Sequence, residues 1–389
     1  MQGYPALPVA HWPGMELLLW RWSVGVQWTS LAMITVFFLV LERSLRLAEL
    51  RSWVGAWFAN LLALGITVLV WGISSTHDTP YAQTPGAGGP AAAIISGASV
   101  SSGLALNRRI GHPTTTCSNP QRRVNAMAMP TYVGEVTSTD GKQWTVPITV
   151  EEGPFAPDYY NDCNGPGENA DLSQLKTVVI DEDGVEITAF IHADNYFELS
   201  VNGRFVGRDS IGMTPFNTSV VRFKARYPMT YAIKAVDWET HQGIGLEYDT
   251  YNVGDAGFIV YSSDGNRTGP DWRIETFYIA PLDDPSCVRL TPGGRDSTFC
   301  SQALRPTCAQ KDPKLCQALH FPIPANWKAP NFDDSRWAQA TTWPPAVVTD
   351  DPSYTRVAKI FANAEFIWTR NLKLDNLVLA RYTAKGPRR

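Results

Sequence analysis

The stretch from Val185 to Gly207, VEITAFIHADNYFELSVNGRFVG, constrains the fold more than any other part of the chain. Phe197, Leu199 and Val201 alternate with Glu198, Ser200 and Asn202, the period-2 pattern of a half-buried strand. Asn202-Gly203 then supplies the two positive-φ residues of a type I′ turn, and Arg204-Phe205-Val206 returns. Other short runs follow the same logic. Val185, Ile187, Ala189 and Ile191 alternate before Asp194-Asn195, and Tyr231, Ile233 and Ala235 before Asp237-Trp238. Phe258 to Tyr261 ends at Asp264-Gly265, and AEFIW and NLVLARY give two last strands. Long helical periodicity is absent. The pattern predicts a mainly β domain, a β-sandwich.

The first part of the chain is different. Charged residues make up 18% and hydrophobic residues 44% of the whole, a low charge share that points to a membrane part, a glycine- and proline-rich part, or both. Trp22 to Leu41 and Ser52 to Thr76 carry no charge, and each is long enough to cross a bilayer. Trp22, Trp28, Trp53, Trp57 and Trp71 lie toward the ends of these runs, where an interfacial aromatic belt sits. The connecting loop 42–51 holds Arg43, Arg46 and Arg51. Only Arg21 precedes the first run, and no Lys or Arg follows the second until Arg108. The positive-inside rule places the loop in the cytoplasm and both flanks outside. Thr79 to Asn107, rich in Gly, Pro, Ala and Ser, reads as a tether. The expected organisation is a tail 1–21, a two-helix transmembrane hairpin 22–76, a linker 77–116 and an extracytoplasmic β domain 117–389.

All six cysteines, Cys117, Cys163, Cys287, Cys300, Cys308 and Cys316, follow the second apolar run. An even count confined to the exported side favours disulfides, and the spacing leaves the pairing open. No C-x-x-C is present and the spacing matches no zinc knuckle.

The order of these pieces resembles the galactose-binding-domain-like jelly roll that accompanies α-L-rhamnosidase-like glycoside hydrolases, over residues 185–370. The hairpin from Ala193 through Asp194, Glu198, Leu199, Val201, Asn202 and Gly203 to Gly207 matches that family's A-D-x-x-x-E-L-x-V-N-G-x-x-V-G. Gly257-Phe258-Ile259, Asp264-Gly265 and Asp271-Trp272 match a second segment loosely. Trp327, Pro330, Phe332, Asp333, Asp334, Ser335, Trp337 and Ala340 match W-x-x-P-x-F-D-D-S-x-W-x-x-A, and Ala364 to Trp368 closes the set. The chain departs from the pattern by material at Thr131 to Lys176, by a cysteine-bearing insertion 285–324, and by its final strand. The motif residues themselves read as scaffold: Asn202-Gly203 as a turn, Asp333-Asp334-Ser335 as a cap for backbone N–H groups, Trp327, Trp337 and Trp368 as core.

Chemistry is thinly signalled. None of the six histidines stands in a metal spacing, and no nucleophile elbow, Walker or dinucleotide motif occurs. The resemblance implies that catalysis resides in a separate helical barrel, so an enzyme is not expected. Net charge −4 gives no basic footprint for nucleic acid. The expectation is a membrane-anchored, non-catalytic module that binds a glycan or a surface protein. The alternatives are a scaffold subunit whose helices touch other membrane subunits, and a glycosidase-related accessory protein. Candidate ligand contacts are Tyr159, Tyr160, Trp238, His241, Tyr248, Asp249, Tyr251 and Trp343. No cofactor is expected beyond a structural calcium, for which Asp158, Asp162 and Asn164 offer oxygen ligands. Asn217 and Asn266 head N-glycosylation sequons in expected loops, relevant in a eukaryotic source.

Overall fold

The structure, a computed structural model, describes residues 94–104, 106, 108–111, 132–161, 170–210, 217–247, 250–349 and 352–388. All belong to the second of two compact units, Pro90–Arg389. The expected tail, transmembrane hairpin and first part of the linker lie outside the described residues. Among the described residues no helix is long and apolar enough to cross a membrane.

Strands dominate. In chain order they begin with β1 (Ser99–Ser102), β2 (Arg108–Gly111), β3 (Tyr132–Thr137), β4 (Gln143–Val146) and β5 (Asp158–Asn161). Next come β6 (Thr177–Val179), β7 (Val185–Asp194), β8 (Tyr196–Val201), β9 (Arg204–Arg208) and β10 (Asn217–Ala225). The middle is β11 (Met229–Val236), β12 (Gly257–Ser262), β13 (Arg273–Leu282), β14 (Arg289–Thr291) and β15 (Gly294–Asp296). The last are β16 (Gln317–His320), β17 (Ala338–Gln339), β18 (Thr341–Trp343), β19 (Phe366–Trp368) and β20 (Asp375–Ala384). A first, antiparallel sheet runs β1-β16-β13-β20-β11-β8-β9, with β17 beside β13. A second runs β18-β19-β12-β7-β10-β5, with β6 parallel to β10.

The two sheets meet through alternate residues. Ile187, Ala189 and Ile191 of β7 and Phe258 and Val260 of β12 share one core with Phe197, Leu199 and Val201 of β8 and Tyr231, Ile233 and Ala235 of β11. Each Val, Leu, Ile or Phe side chain among them contributes about 1.5–3 kcal/mol through removal from water. The chain is therefore mainly β, two antiparallel-rich sheets packed as a sandwich. The hairpin turn is as its residues require, with φ of 48° at Asn202 and 77° at Gly203.

The outer face of the first sheet departs from the alternation. Glu198 and Ser200 of β8, and Ala232, Lys234 and Val236 of β11, are buried as well. Strand β8 is thus covered on both faces rather than half-buried, because a second apolar cluster lies over it. Val133, Val136, Val146 and Ile148, from β3, β4 and the segment after them, join Ala232, Val236, Tyr278 and the insertion cysteines there. The cysteines pair locally, Cys287 with Cys300 and Cys308 with Cys316; Cys117 and Cys163 lie outside the described residues. The linker's end also differs from expectation. Ser99–Ser102 is an edge strand on β16, a role its small residues announce poorly.

The WKAPNFDDSRW segment is scaffold. Asp333 accepts from Ser335 N–H at 3.0 Å. Asp334 pairs with the guanidinium of Arg381, which is 2% exposed and also donates to the carbonyls of Trp327 and Ala329. One buried arginine on β20 thereby clamps the whole loop. Trp327, Trp337 and Trp368 are buried.

Candidate functional site

The residues picked from the sequence fall into separate places. Tyr159 and Tyr160 lie on β5 at one edge of the second sheet, and Trp343 on β18 at the other. All three border an apolar cluster of Val348, Tyr354, Phe361 and Phe366 on that sheet's outer side. Tyr159 meets Phe190 edge-on at 5.0 Å, Tyr160 lies 5.7 Å from the Arg356 guanidinium, and Trp343 Nε1 donates to the Thr369 carbonyl at 3.1 Å. Trp238, His241 and Tyr251 occupy the loop after β11. Trp238 is 1% exposed and packs edge-on against Tyr196 at 5.4 Å. His241 and Tyr251 place their rings 5.2 Å apart. Tyr248 and Asp249 lie outside the described residues.

Asp158 is occupied by protein donors: Ser210 Oγ and Asn217 Nδ2 at 2.8 Å each and Asn161 Nδ2 at 2.7 Å. Its proposed calcium partners Asp162 and Asn164 lie outside the described residues. Among the described residues no three His, Cys, Asp or Glu side chains are placed to hold a metal ion. Of the sequon asparagines, Asn266 lies between β12 and β13 as expected, and Asn217 opens strand β10 rather than lying in the expected loop. Asn217 and Asn266 are each 2% exposed. Their amides are spent internally, Asn217 on Asp158 and Asp209, Asn266 on Asp264 and the Gly386 carbonyl. Neither amide nitrogen is presented to solvent for modification.

A cleft of about 420 Å³ opens on the covered face of the first sheet. One wall is Gln143 to Thr149, the other Phe321 to Lys328, and Lys234, Phe277, Tyr278 and His320 form the floor. Three rings stack across it. Tyr278 lies 5.0 Å from His320 at 18°, and His320 lies 5.3 Å from Trp144 at 20°. Trp144 is half-buried, and its Nε1 donates to Ser138 Oγ at 3.0 Å. His320 shares a 2.7 Å hydrogen bond with Ser101 Oγ. Burial holds its pKa down to about 3, against a smaller upward pull from Asp140, so the ring is neutral at ordinary pH.

The cleft's charges come in pairs. Lys234 and Glu198 are direct cross-strand partners on β11 and β8, with Nζ 2.7 Å from Oε2. Lys234 also donates to the Thr149 carbonyl at 3.0 Å. The other carboxylate oxygen of Glu198 accepts from Glu151 N–H at 2.8 Å and from the Tyr196 hydroxyl at 3.2 Å. At the rim, Lys328 pairs with the Glu151 carboxylate. Two opposed pairs and a neutral imidazole leave the cleft without net charge.

The loop after β11 carries the opposite arrangement. Asp237 and Glu239 are 2% and 5% exposed. Glu247 is a third acid close enough to influence both. Burial first, then the neighbouring carboxylates including Asp255, raise all three acids above the usual range. Asp237 Oδ2 and Glu239 Oε1 have no hydrogen-bond partner among the described residues. Glu239 packs so closely on Gly254 that a Cβ there would collide with it. A smaller crevice under the β14–β15 ribbon holds Glu275 and Asp375, each pushed up to about 7 chiefly by burial.

The cleft residues were not among the sequence candidates. A signal existed: Lys234 is the one cation in YAIKAV and Glu198 the one anion in YFELSV, two strands that the fold sets side by side. Trp144 and the Glu151–Lys328 pair join segments far apart in the chain and carry no such local mark. Comparison of the chain with family models, with curated proteins and with solved structures finds no match.

Proposed function

We propose that the chain is a membrane-anchored extracytoplasmic protein whose β domain is a non-catalytic binding module of galactose-binding-like jelly-roll type, taking its ligand in the cleft over the first sheet. The observation that carries this reading is the cleft itself, a preformed cavity with an aromatic stack on its floor and a few convergent polar groups. Binding is favoured over catalysis because no carboxylate lines the cleft among the described residues, and the two nearest, Glu198 and Glu151, are each engaged by a lining lysine. The Ser101–His320 contact is also poorly suited to nucleophilic chemistry. Ser101 is 2% exposed, His320 is a weak base, and Asp140 is committed to Ser99, Ser138 and Lys142. The test is a binding screen of the full chain in detergent against immobilised glycans and extracellular peptides. Saturable binding that Trp144→Ala weakens is expected. Turnover of a glycoside, or binding indifferent to every cleft substitution, would overturn the reading.

A further inference from the structure

Resting on the binding-module reading, we propose that the cleft takes the end of a neutral saccharide, with one pyranose packed on Trp144 and one hydroxyl accepting an N–H of Lys234. Three observations converge on this ligand.

The first is a fixed flat surface. The C–H face of a pyranose packs well on an aromatic ring, and the gain is largest where the ring is already held in place. Trp144 is held twice over, by its stack on His320 and by the bond from Nε1 to Ser138. Tyr278 backs the stack, and its own hydroxyl is anchored to the Gln242 carbonyl at 2.6 Å. His320 occupies one face of the indole, which leaves the other for a ligand in the cleft.

The second is a donor with capacity left. An ammonium carries three N–H bonds. One N–H of Lys234 donates to the Thr149 carbonyl, and the ammonium lies 2.7 Å from Glu198 Oε2 as an ion pair, which leaves donor capacity for the cleft that the residue lines. Lys234 is 7% exposed, so this donor is largely desolvated and gains from an acceptor. A sugar hydroxyl supplies one without adding charge.

The third is charge. Lys234 is matched by Glu198 and Lys328 by Glu151, and His320 is neutral. A uronate, sialate or phosphate would bring a negative charge beside two carboxylates whose lysines are already paired. The electrostatics therefore favour a neutral sugar over an acidic one. The volume of about 420 Å³ lies toward the small end of ligand cavities, which suits the end of a chain rather than its middle.

One wall comes from the residues after Thr131 and the other begins in the last residues of the insertion, both departures from the resembled family. Lys234 on β11 and Trp327 of the matched motif complete the cleft.

The experiment uses the full chain in detergent and a glycan array holding neutral termini (galactose, glucose, mannose, rhamnose) beside uronate and sialate termini, with a set of unmodified peptides. The best binder is then titrated by isothermal calorimetry into the natural chain, Trp144→Phe and Trp144→Ala, each first checked for an unchanged melting profile, and tryptophan fluorescence is recorded alongside. A neutral terminus should bind. Trp144→Ala should weaken it about tenfold, Trp144→Phe should restore most of the affinity, and the ligand-induced fluorescence change should shrink in both variants to what Trp327 of the same cleft contributes. Binding confined to acidic termini overturns the neutral-sugar inference and leaves the binding module standing. Binding confined to peptides does the same. A neutral sugar bound equally well by Trp144→Ala removes the cleft from the inference. Failure of every probe removes both the inference and the reading beneath it.

Discussion

Two charged places lie on either side of Tyr278, and they handle burial in opposite ways. On one side is the cleft, where Lys234 and Glu198 are both nearly buried and meet as opposite charges. On the other is the loop after β11, where Asp237, Glu239 and Glu247 have mainly one another. Tyr278 touches both: its ring stacks on His320, and its hydroxyl donates to the Gln242 carbonyl in the loop. The cleft keeps its charges by pairing them. The loop refuses charge by retaining protons. The difference matters for the proposed binding, because only the first arrangement sets paired full charges beside a cavity.

The comparison breaks most visibly if a partner is removed from the cleft floor. Glu198→Ala leaves the ammonium of Lys234 buried without its counter-charge, and removes the acceptor of Glu151 N–H as well. Breaking a buried pair in this way costs about 3–5 kcal/mol. Urea unfolding of the variant should show a loss of that size. A loss under about 1 kcal/mol would mean that water reaches the pair, and the contrast with the acid loop would go with it.

The acid loop should respond with the opposite sign. Burial and neighbouring charge raise the pKa of Glu239 above its unfolded value of 4.5, so the native state holds a proton that the unfolded chain has lost. Stability therefore falls as pH rises from the unfolded value toward the raised one. Asp375 and Glu275 act in the same direction, between 3.8 or 4.5 in the unfolded chain and about 7 in the native one. His192 and His320, held down to about 3 by burial, act the other way. The unfolded chain takes up their protons below 6.5 while the native state does not, so they weaken the fold between pH 6.5 and 3. Between pH 6 and pH 8 the acids dominate, and the melting temperature should be higher at pH 6. Glu239→Gln, which needs no proton, should raise the pH 8 value and narrow the gap. A flat profile from pH 6 to 8, or a destabilised Glu239→Gln at pH 8, would place an unrecognised cation against the loop.

The contrast also shows what was legible before any coordinates. Period-2 runs and the Asn202-Gly203 turn located the sandwich core, because alternation and turn chemistry are local properties. Trp327, Trp337 and Trp368 read as core for the same reason. The second burial of β8 was not legible. Glu198 alternates with apolar neighbours as a solvent-facing residue would, and only the distant segments after Tyr132 and Pro285 turn it inward. The cleft depends on that covering layer, so its residues escaped a search that sought aromatics in loops. Asn217 failed as a loop residue on similar grounds. Its sequon is local, whereas its burial comes from Asp158 and Asp209 across the sheet edge.

The smallest effect is expected inside the cleft itself, and it separates burial from pairing as the cause of the difference. The rim pair Glu151–Lys328 has the same chemistry as the floor pair, but its side chains are 31% and 23% exposed, against 2% and 8% for Glu198 and Lys234. Water can solvate either rim charge when the other is removed. Lys328→Ala should therefore cost only about 0–1 kcal/mol. A few tenths of that would come from the loss of the ammonium 5.8 Å from the Trp327 ring. The bond from Glu151 N–H to Glu198 is a backbone contact and survives the change. Raising salt should shrink the rim effect and leave the floor effect nearly unchanged, because screening reaches exposed charges and not buried ones. If urea unfolding instead gives Lys328→Ala a loss near that of Glu198→Ala, pairing alone sets the energetics of the cleft, and the retained protons of the acid loop would need a cause other than burial.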